Sequence, residues 1–423
     1  MYLVYLINLN EQPLLNILQL FKSLHLQKHI LLLGQYLKKN EFLYVYFLDN
    51  YDISLTIIGV TLLVLRCFDF IQDPLIGWGL DVVKICRSSL VKVMGLTIAI
   101  SMVATFSIPA IGNPLVWFVI CMIFLFSSFS VLSILFYSQG VLKAKSLGQR
   151  GHIKLAVWRE TGGLVGVCLA SVLPVIFTNF GIEKNMAWFS ISFAVVVLIS
   201  IILMSKEWQI SILPKSNLKI IFEDQVLRRL IIIALLNAAP LAITTTLFLF
   251  FVEYCLGPKF PAGLFLVVFF ISAALSVPIW GKLGKYFSAK KILLFAMLSP
   301  IFIFAYVLSL SAGDYLAFAI VCALSGFTLG ADMTILPAVF ARRIDHIGVT
   351  AGQAFGVWSF CAKFTLAVAA AFVLPILDWA GFSTIEINTG KALWTLTLLY
   401  AGLPCILKLG AVMMLSSNYL KEI

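Results

Sequence analysis

The chain has 423 residues, of which 61% are hydrophobic and 12% are charged, with a mean hydropathy of +1.04. Soluble domains carry about 25% charged residues, so this composition excludes an ordinary soluble domain. Apolar stretches long enough to cross a bilayer as helices recur along the chain, and the two-residue alternation of a membrane β-barrel is absent. Basic loops on one side of a bilayer explain the net charge of +11, so we expect lipid rather than nucleic acid as a partner.

The cysteines and histidines give no sign of an enzyme or a metal centre. The eight cysteines are scattered without a Cys-x-x-Cys pair, which predicts reduced thiols in lipid-buried positions. The four histidines fall outside the predicted spans, and neither His-Glu-x-x-His nor a nucleophile–base pair occurs. We therefore predict no enzymatic activity and no cofactor. Residues 1–10 lack the basic region and cleavage site of a signal peptide.

Twelve candidate spans predict an all-α polytopic membrane protein with two six-helix halves. In chain order they are 30–48, 53–80, 91–109, 115–138, 158–178, 186–205, 230–253, 262–280, 292–311, 315–339, 350–377 and 392–416. The predicted organisation is an interfacial or irregular leader at 1–29, an N-terminal half at 30–205, a cytoplasmic linker at 206–229 and a C-terminal half at 230–423. A chain of two parallel six-helix halves has the layout of the major facilitator fold.

The first span is the weakest of the twelve, because Lys38 and Lys39 interrupt it. Two lysines near a helix centre would cost roughly 5–7 kcal/mol on insertion scales. Three interpretations stay open. The span begins later, from Phe42, and is short; or it is long and tilted, with both lysines reaching the cytoplasmic face; or the N-terminus is altered by drift or by an imperfect gene model.

Basic residues alternate strictly between the loops. They are frequent after the second, fourth, eighth and tenth spans and in the linker 206–229, whereas the intervening loops hold few or none. Because basic loops stay on the cytoplasmic side, this pattern predicts a plasma (inner) membrane protein with both termini in the cytoplasm. We expect it to act as a monomer.

Three charged residues lie inside the second predicted span. Arg66, Asp69 and Asp73 are three and four residues apart, which places them on one helical face. A charge at membrane depth costs on the order of 2.5–3.5 kcal/mol, and such residues usually serve transport. Two ionised carboxylates one turn apart repel each other, and a bound cation or proton relieves that repulsion. Arg66 offsets part of the negative charge, and Gln72 offers a carbonyl oxygen to a cation such as Na⁺.

Further candidates lie in the later spans. Lys363 is mid-span, and its ammonium requires a partner, for which Asp69 or Asp73 is the obvious choice. Asp332 in the tenth span has two equal interpretations, a gating or substrate contact and a structural hydrogen bond. Arg159 beside Glu160 is a substrate-site residue or an ordinary juxtamembrane pair. Three aromatic residues are able to stack on a sugar-like ring, although packing is the simpler role for each of them: Trp78, Tyr137 and Trp358.

Several motifs together resemble the glycoside–pentoside–hexuronide:cation symporters of the major facilitator superfamily, whose best-known member is the melibiose carrier. The match lies in Arg66-x-x-Asp69-x-x-x-Asp73-Pro74-x-x-Gly77, in Trp158-Arg159-Glu160, in Gly330-Ala331-Asp332 and in Gly352-Gln353-Ala354-Phe355-Gly356-Val357-Trp358 with Lys363 beyond it. It covers roughly residues 42–415. The loop after the second span is similar to the superfamily's glycine–aspartate–basic motif only at Asp81 and Lys84.

The resemblance implies roles for individual residues. It implies a cation site at Asp69 and Asp73 with Lys363 as the charge partner. Ser130 falls where the family supplies a hydroxyl to the cation, Tyr137 where an aromatic ring stacks on the sugar, and Arg159 where an arginine borders that site. We add Trp358, Ser359 and Asp332 as candidate substrate contacts.

The chain departs from the sugar-binding members at two positions. Those members carry carboxylates in the first and fourth helices, where this chain has Gly34-Gln35 and Ser133. The expected function is therefore Na⁺- or H⁺-coupled symport of a small organic solute, a sugar or a related molecule. The alternatives are a carrier of a lysolipid or an organic acid, and a degenerate relative that does not transport.

Overall fold

The computed structural model describes residues 55–83, 86–148, 150–180, 184–208, 218–257, 262–383 and 388–417, and every regular element in these ranges is helical. In chain order the helices are α1 Leu55–Val82, α2 Arg87–Phe106, α3 Pro114–Ala144, α4 Gly151–Asn179, α5 Asn185–Leu203, α6 Leu218–Glu223, α7 Gln225–Phe250, α8 Ala262–Leu283, α9 Ala289–Val307, α10 Tyr315–Ile347, α11 Ala351–Trp379, α12 Gly390–Thr397 and α13 Leu403–Ser416. A π-helical segment, Phe251–Leu256, continues α7, and a second one, Leu398–Gly402, joins α12 to α13.

The predicted spans from 53–80 onward all coincide with helices, whereas the first predicted span, 30–48, lies outside the described residues. Nine helices within the described ranges are long and apolar enough to cross a membrane. Several extend beyond the predicted ends: α3 reaches Ala144 and α10 reaches Ile347. Hydropathy detects only the part of a helix that lies in lipid, so it misses turns that continue into water.

The chain divides into two compact units. The first contains the described residues of 55–147, 162–208 and 348–360, and the second those of 148–161, 218–347 and 361–417. The predicted halves assign 148–161 to the first half and 348–360 to the second, so these two segments are grouped differently in the structure. As a result, the start of α11 belongs with α1.

The first unit is built on α1, α2, α3 and α5, with α2 packed against both α3 and α5. Its core is apolar and includes Ile98, Phe118 and Leu135, all at or below 1% exposed. Leucine, isoleucine and valine side chains on the opposite faces of these helices are exposed, for example Ile100 and Ile202. Apolar surface on this scale, on helices that satisfy their own backbone hydrogen bonds, is what a lipid environment requires.

The second unit is built on α7, α8, α9, α10 and α13, with α10 packed on α8 and α9, and α13 on α7 and α9. The two π-helical segments meet where the rings of Phe251 and Tyr400 stack, with centroids 4.3 Å apart. Asp224 caps the N-terminus of α7 by accepting from the backbone N–H of Leu227, and it also accepts a 2.6 Å hydrogen bond from Arg343. Burial opposes ionisation of Asp224, but these hydrogen bonds outweigh it and lower its pKa.

Candidate functional site

The polar face of α1 brings together the two carboxylates that the sequence singled out. Asp69 is 2% exposed and Asp73 is fully buried. Asp69 accepts hydrogen bonds from the Ser130 hydroxyl on α3 (3.1 Å) and from Nε2 of Gln72 (3.2 Å). Arg66 lies 3.6 Å from the other carboxylate oxygen of Asp69. Three of the predicted residues therefore surround the buried carboxylate of Asp69.

A second layer holds these side chains in place. The hydroxyl of Ser127 donates to Oε1 of Gln72 at 2.9 Å, so the amide nitrogen of Gln72 is the end that faces Asp69. The guanidinium of Arg66 lies 4.8 Å from the centre of the Phe126 ring, a cation–π distance. Ser127 and Phe126 are not among the predicted site residues. Their position three and four residues before Ser130, on the same face of α3, was the available signal.

Asp73 accepts a hydrogen bond from a side chain of α11. The hydroxyl of Ser359 donates to Oδ2 of Asp73 at 2.5 Å. The sequence predicts a substrate contact for Ser359, and the structure places its hydroxyl on Asp73. The contact is possible because α1 and α11 approach closely at three glycines. A Cβ on Gly77 would lie 2.5 Å from the carbonyl oxygen of Gly352 and 3.2 Å from Cα of Gly356.

One helical turn after Gly77, the side chain of Asp81 on α1 caps the N-terminus of α11. Oδ2 of Asp81, at the end of α1, accepts from the backbone N–H of Gln353 in the first turn of α11 at 2.7 Å. A carboxylate at a helix N-terminus satisfies a backbone donor that has no partner within the helix and interacts favourably with the helix dipole. Asp81 is also the aspartate of the partial loop motif in the sequence.

The side chains of this cluster could hold a cation or a proton. Two carboxylates are buried one helical turn apart, and hydroxyl oxygens of Ser130 and Ser359 lie beside them. Carboxylate and hydroxyl oxygens are the ligands that hard cations prefer. A cation or a proton would relieve the repulsion between the two carboxylates.

Of the predicted aromatic residues, Tyr137 packs against another aromatic ring. Tyr137 on α3 lies against Phe355, with ring centroids 4.7 Å apart and the rings tilted by 31°. Trp358 on α11 is partly exposed. Both residues belong to the first unit, as do Asp69 and Asp73.

Three of the predicted residues belong to the second unit. Arg159 on α4 donates from Nε to Glu160 at 2.7 Å, so the two adjacent side chains form a buried ion pair. Lys363 on α11 is 7% exposed. Its pairing with the carboxylates of α1 stays a prediction.

Asp332, the third of these residues, has two partners that are not among the predicted site residues. The ammonium of Lys408 on α13 lies 2.5 Å from Oδ2 of Asp332 and 2.5 Å from Oδ1 of Asn237 on α7. Lys408 is a lone lysine within the last predicted span. The signal that identified Lys363 was therefore present here too, in Cys405-Ile406-Leu407-Lys408.

Comparison with solved structures gives a likeness of fold. A structure described as the crystal structure of a bacterial homologue of the iron transporter ferroportin, in an outward-facing state, is similar with a TM-score of 0.62. The match covers 95% of this chain and 98% of that one at 15% sequence identity. No curated protein sequence matches this chain.

The fold and its apolar helices define an all-helical, multi-pass integral membrane protein. Residues 31–419 match the family model described as MFS/sugar transport protein. Because this match covers nearly the whole chain, the protein belongs to that family and to the major facilitator superfamily. This membership indicates a transporter rather than an enzyme.

Proposed function

We propose that the protein is a cation-coupled symporter, with Asp69 and Asp73 as its coupling site and Na⁺ or H⁺ as the coupling ion. The observation that carries the proposal is the burial of two carboxylates one turn apart, each hydrogen-bonded to a hydroxyl from another helix. Burying a carboxylate in a bilayer is costly, so an unused pair would be an expensive feature of α1. This arrangement supports membership of the glycoside–pentoside–hexuronide:cation symporter family.

Coupling follows from the connection between α1 and α11. A cation at Asp73 would compete with the hydroxyl proton of Ser359 for the same carboxylate oxygen, and would therefore change the contact between the two helices. Occupancy thereby alters the relative free energies of the conformations of an alternating-access cycle. The coupling must be reciprocal: if the cation raises the affinity for the solute, the solute raises the affinity for the cation by the same factor. Lys363 is proposed as a charge partner of the unloaded site.

The proposed solute is a small organic molecule, a sugar or a related compound. Tyr137 and Trp358 offer aromatic faces, and Arg159 offers a guanidinium. Asp332 is not assigned to the solute, because Lys408 holds its Oδ2. The missing carboxylate at Ser133 favours a solute other than a melibiose-like glycoside. We propose a plasma-membrane location with cytoplasmic termini, on the basis of the loop charges.

The test is uptake into vesicles that contain the purified protein. Sugars, organic acids and lysolipids are offered with an inward Na⁺ gradient, with an inward proton gradient and with neither. For a transported solute, Asp73→Asn should remove the stimulation by the cation, because the neutral amide offers one carbonyl oxygen in place of an ionised carboxylate. Asp314→Asn, the same exchange in an exposed loop, is the matched control and should keep full stimulation.

Two outcomes would contradict the proposal. If Asp73→Asn keeps full cation-stimulated uptake, the coupling site lies elsewhere. If the correctly inserted wild-type protein moves none of the three solute classes under any gradient, the non-transporting alternative is favoured.

A further inference from the structure

A second buried charge cluster lies wholly within the second unit. It consists of Asp332 on α10, Lys408 on α13 and Asn237 on α7. Asp332 is 6% exposed and Lys408 is 8% exposed. The ammonium of Lys408 contacts one oxygen from each of the other two side chains, so oxygens from two helices converge on a single positive charge.

One oxygen of this cluster has no hydrogen-bond donor among the described residues. Oδ1 of Asp332 is buried and accepts nothing, although Oδ2 of the same carboxylate is held by Lys408. A buried acceptor without a partner costs roughly 1–3 kcal/mol, and more when it carries charge. A ligand that supplies positive charge at this oxygen would therefore gain affinity without having to break a protein hydrogen bond there.

A partly open cavity adjoins the cluster and is lined by all three of its members. Three hydroxyls line the same cavity: those of Thr244, Ser325 and Thr328. Each donates its proton to a carbonyl oxygen of its own helix, at 3.1, 3.2 and 2.9 Å respectively. The lone pairs of these hydroxyl oxygens thus remain as acceptors.

We infer that the Asp332–Asn237 cluster is a second monovalent-cation site, in which Lys408 acts as a tethered cation that a free cation displaces. The donor set is carboxylate, amide and hydroxyl oxygen, which suits a hard cation such as Na⁺. Exchange of one cation for another keeps the charge of Asp332 compensated at every stage.

The position of Lys408 in the fold allows this exchange. Its charge is on a flexible four-carbon stem, so the ammonium can move several ångströms without backbone motion. Its helix, α13, begins directly after the π-helical segment Leu398–Gly402. Single π-helical turns within α-helices often mark functional sites. Displacement of Lys408 breaks its contacts with α10 and α7, and the bound cation then joins these two helices through Asp332 and Asn237.

Cys405 gives a local readout, because its side chain lines the same cavity and is partly exposed. The purified protein in detergent is treated with N-ethylmaleimide in sodium chloride or in choline chloride at equal ionic strength. Mass spectrometry then measures the labelling rate of the peptide that contains Cys405, with the exposed Cys86 as the internal reference. At a sodium concentration ten times the dissociation constant about nine-tenths of the sites are filled, so Cys405 should react about tenfold more slowly.

Three variants test whether the sodium protection of Cys405 arises from this cluster. Asp332→Asn should abolish the sodium dependence, because the neutral amide cannot compensate a cation. Lys408→Met should shift protection to lower sodium concentrations, because the free cation no longer competes with an ammonium. Asp73→Asn should leave the protection of Cys405 unchanged, which separates this site from the coupling site proposed on α1.

Three results would overturn the inference. The first is a wild-type labelling rate that is the same in sodium, lithium, potassium and choline, and this result needs no variant to fold. The second is protection that survives in Asp332→Asn or disappears in Asp73→Asn. The third is Lys408→Met protein that requires as much sodium as the wild type or more.

Discussion

Replacing Gly77 with alanine tests whether the close approach of α1 and α11 positions the buried carboxylates. The added methyl group would lie 2.5 Å from Gly352 O, about 0.9 Å inside the 3.4 Å at which ordinary contact begins. The nearest atoms are backbone, so no side chain can rotate to make room. Relief therefore requires the two helices to separate where Asp73 and Ser359 are hydrogen-bonded.

The expected size of the effect comes from comparison with Gly79 on the same helix. A Cβ on Gly79 meets nothing within 4 Å. Both substitutions gain the same helix propensity, about 0.5–1 kcal/mol. The difference between the two variants therefore isolates the overpacking at Gly77, which costs about 1–3 kcal/mol. At 2–4 °C per kcal/mol for a unit of this size, Gly77→Ala should melt roughly 2–12 °C below Gly79→Ala.

The assay is thermal unfolding of both variants and the wild type in the same detergent, followed by a buried-thiol reagent. A second measurement is cation-stimulated uptake. Separation of the helices should weaken the hydrogen bond from Ser359 to Asp73, so uptake should fall in Gly77→Ala and stay at the wild-type level in Gly79→Ala. Equal melting temperatures for the two alanine variants would refute the close packing of α1 on α11. A melting difference without any change in uptake would show that this packing supports stability alone.

Three further predictions follow from single contacts. Asp81→Ala removes the carboxylate that caps α11 and should lower the free energy of unfolding by about 0.5–2 kcal/mol. The amides in the first turn of α11 should then exchange hydrogen faster, and an unchanged exchange rate would contradict the cap. The hydrogen bond from Arg343 lowers the pKa of Asp224 in the folded state. The ionised carboxylate of Asp224 therefore contributes its full stabilisation above the unfolded-state pKa of about 3.9, and this stabilisation is lost as the pH falls through the folded-state pKa. The melting temperature of Asp224→Asn should thus lie below that of the wild type at pH 7 and converge with it in strong acid, and a constant difference down to pH 2 would speak against this linkage. Phe251→Ala should cost about 3–5 kcal/mol because the ring is 1% exposed and stacked, whereas the control Phe302→Ala, 74% exposed, should melt like the wild type in detergent.

Sequence alone located the helices because the hydropathy that predicts a membrane helix depends only on a short stretch of the chain. A window of about 20 apolar residues specifies a membrane helix whatever the rest of the chain does, so all predicted spans from 53–80 onward coincide with helices. The same holds for the polar face of α1. Residues three and four apart share a face in any α-helix, so the grouping of Arg66, Asp69 and Asp73 followed from spacing.

The partners of these charges were decided by tertiary structure. Ser359 is 286 residues from Asp73 in sequence, and Lys408 is 76 residues from Asp332. Nothing periodic in the sequence connects such positions, because the contact depends on which helices pack together and on how closely they approach. For Asp73 that distance is set by Gly77, where any side chain would hold α1 and α11 apart. The sequence therefore determined which charges enter the membrane, and only the packing of the helices determined what each charge meets there.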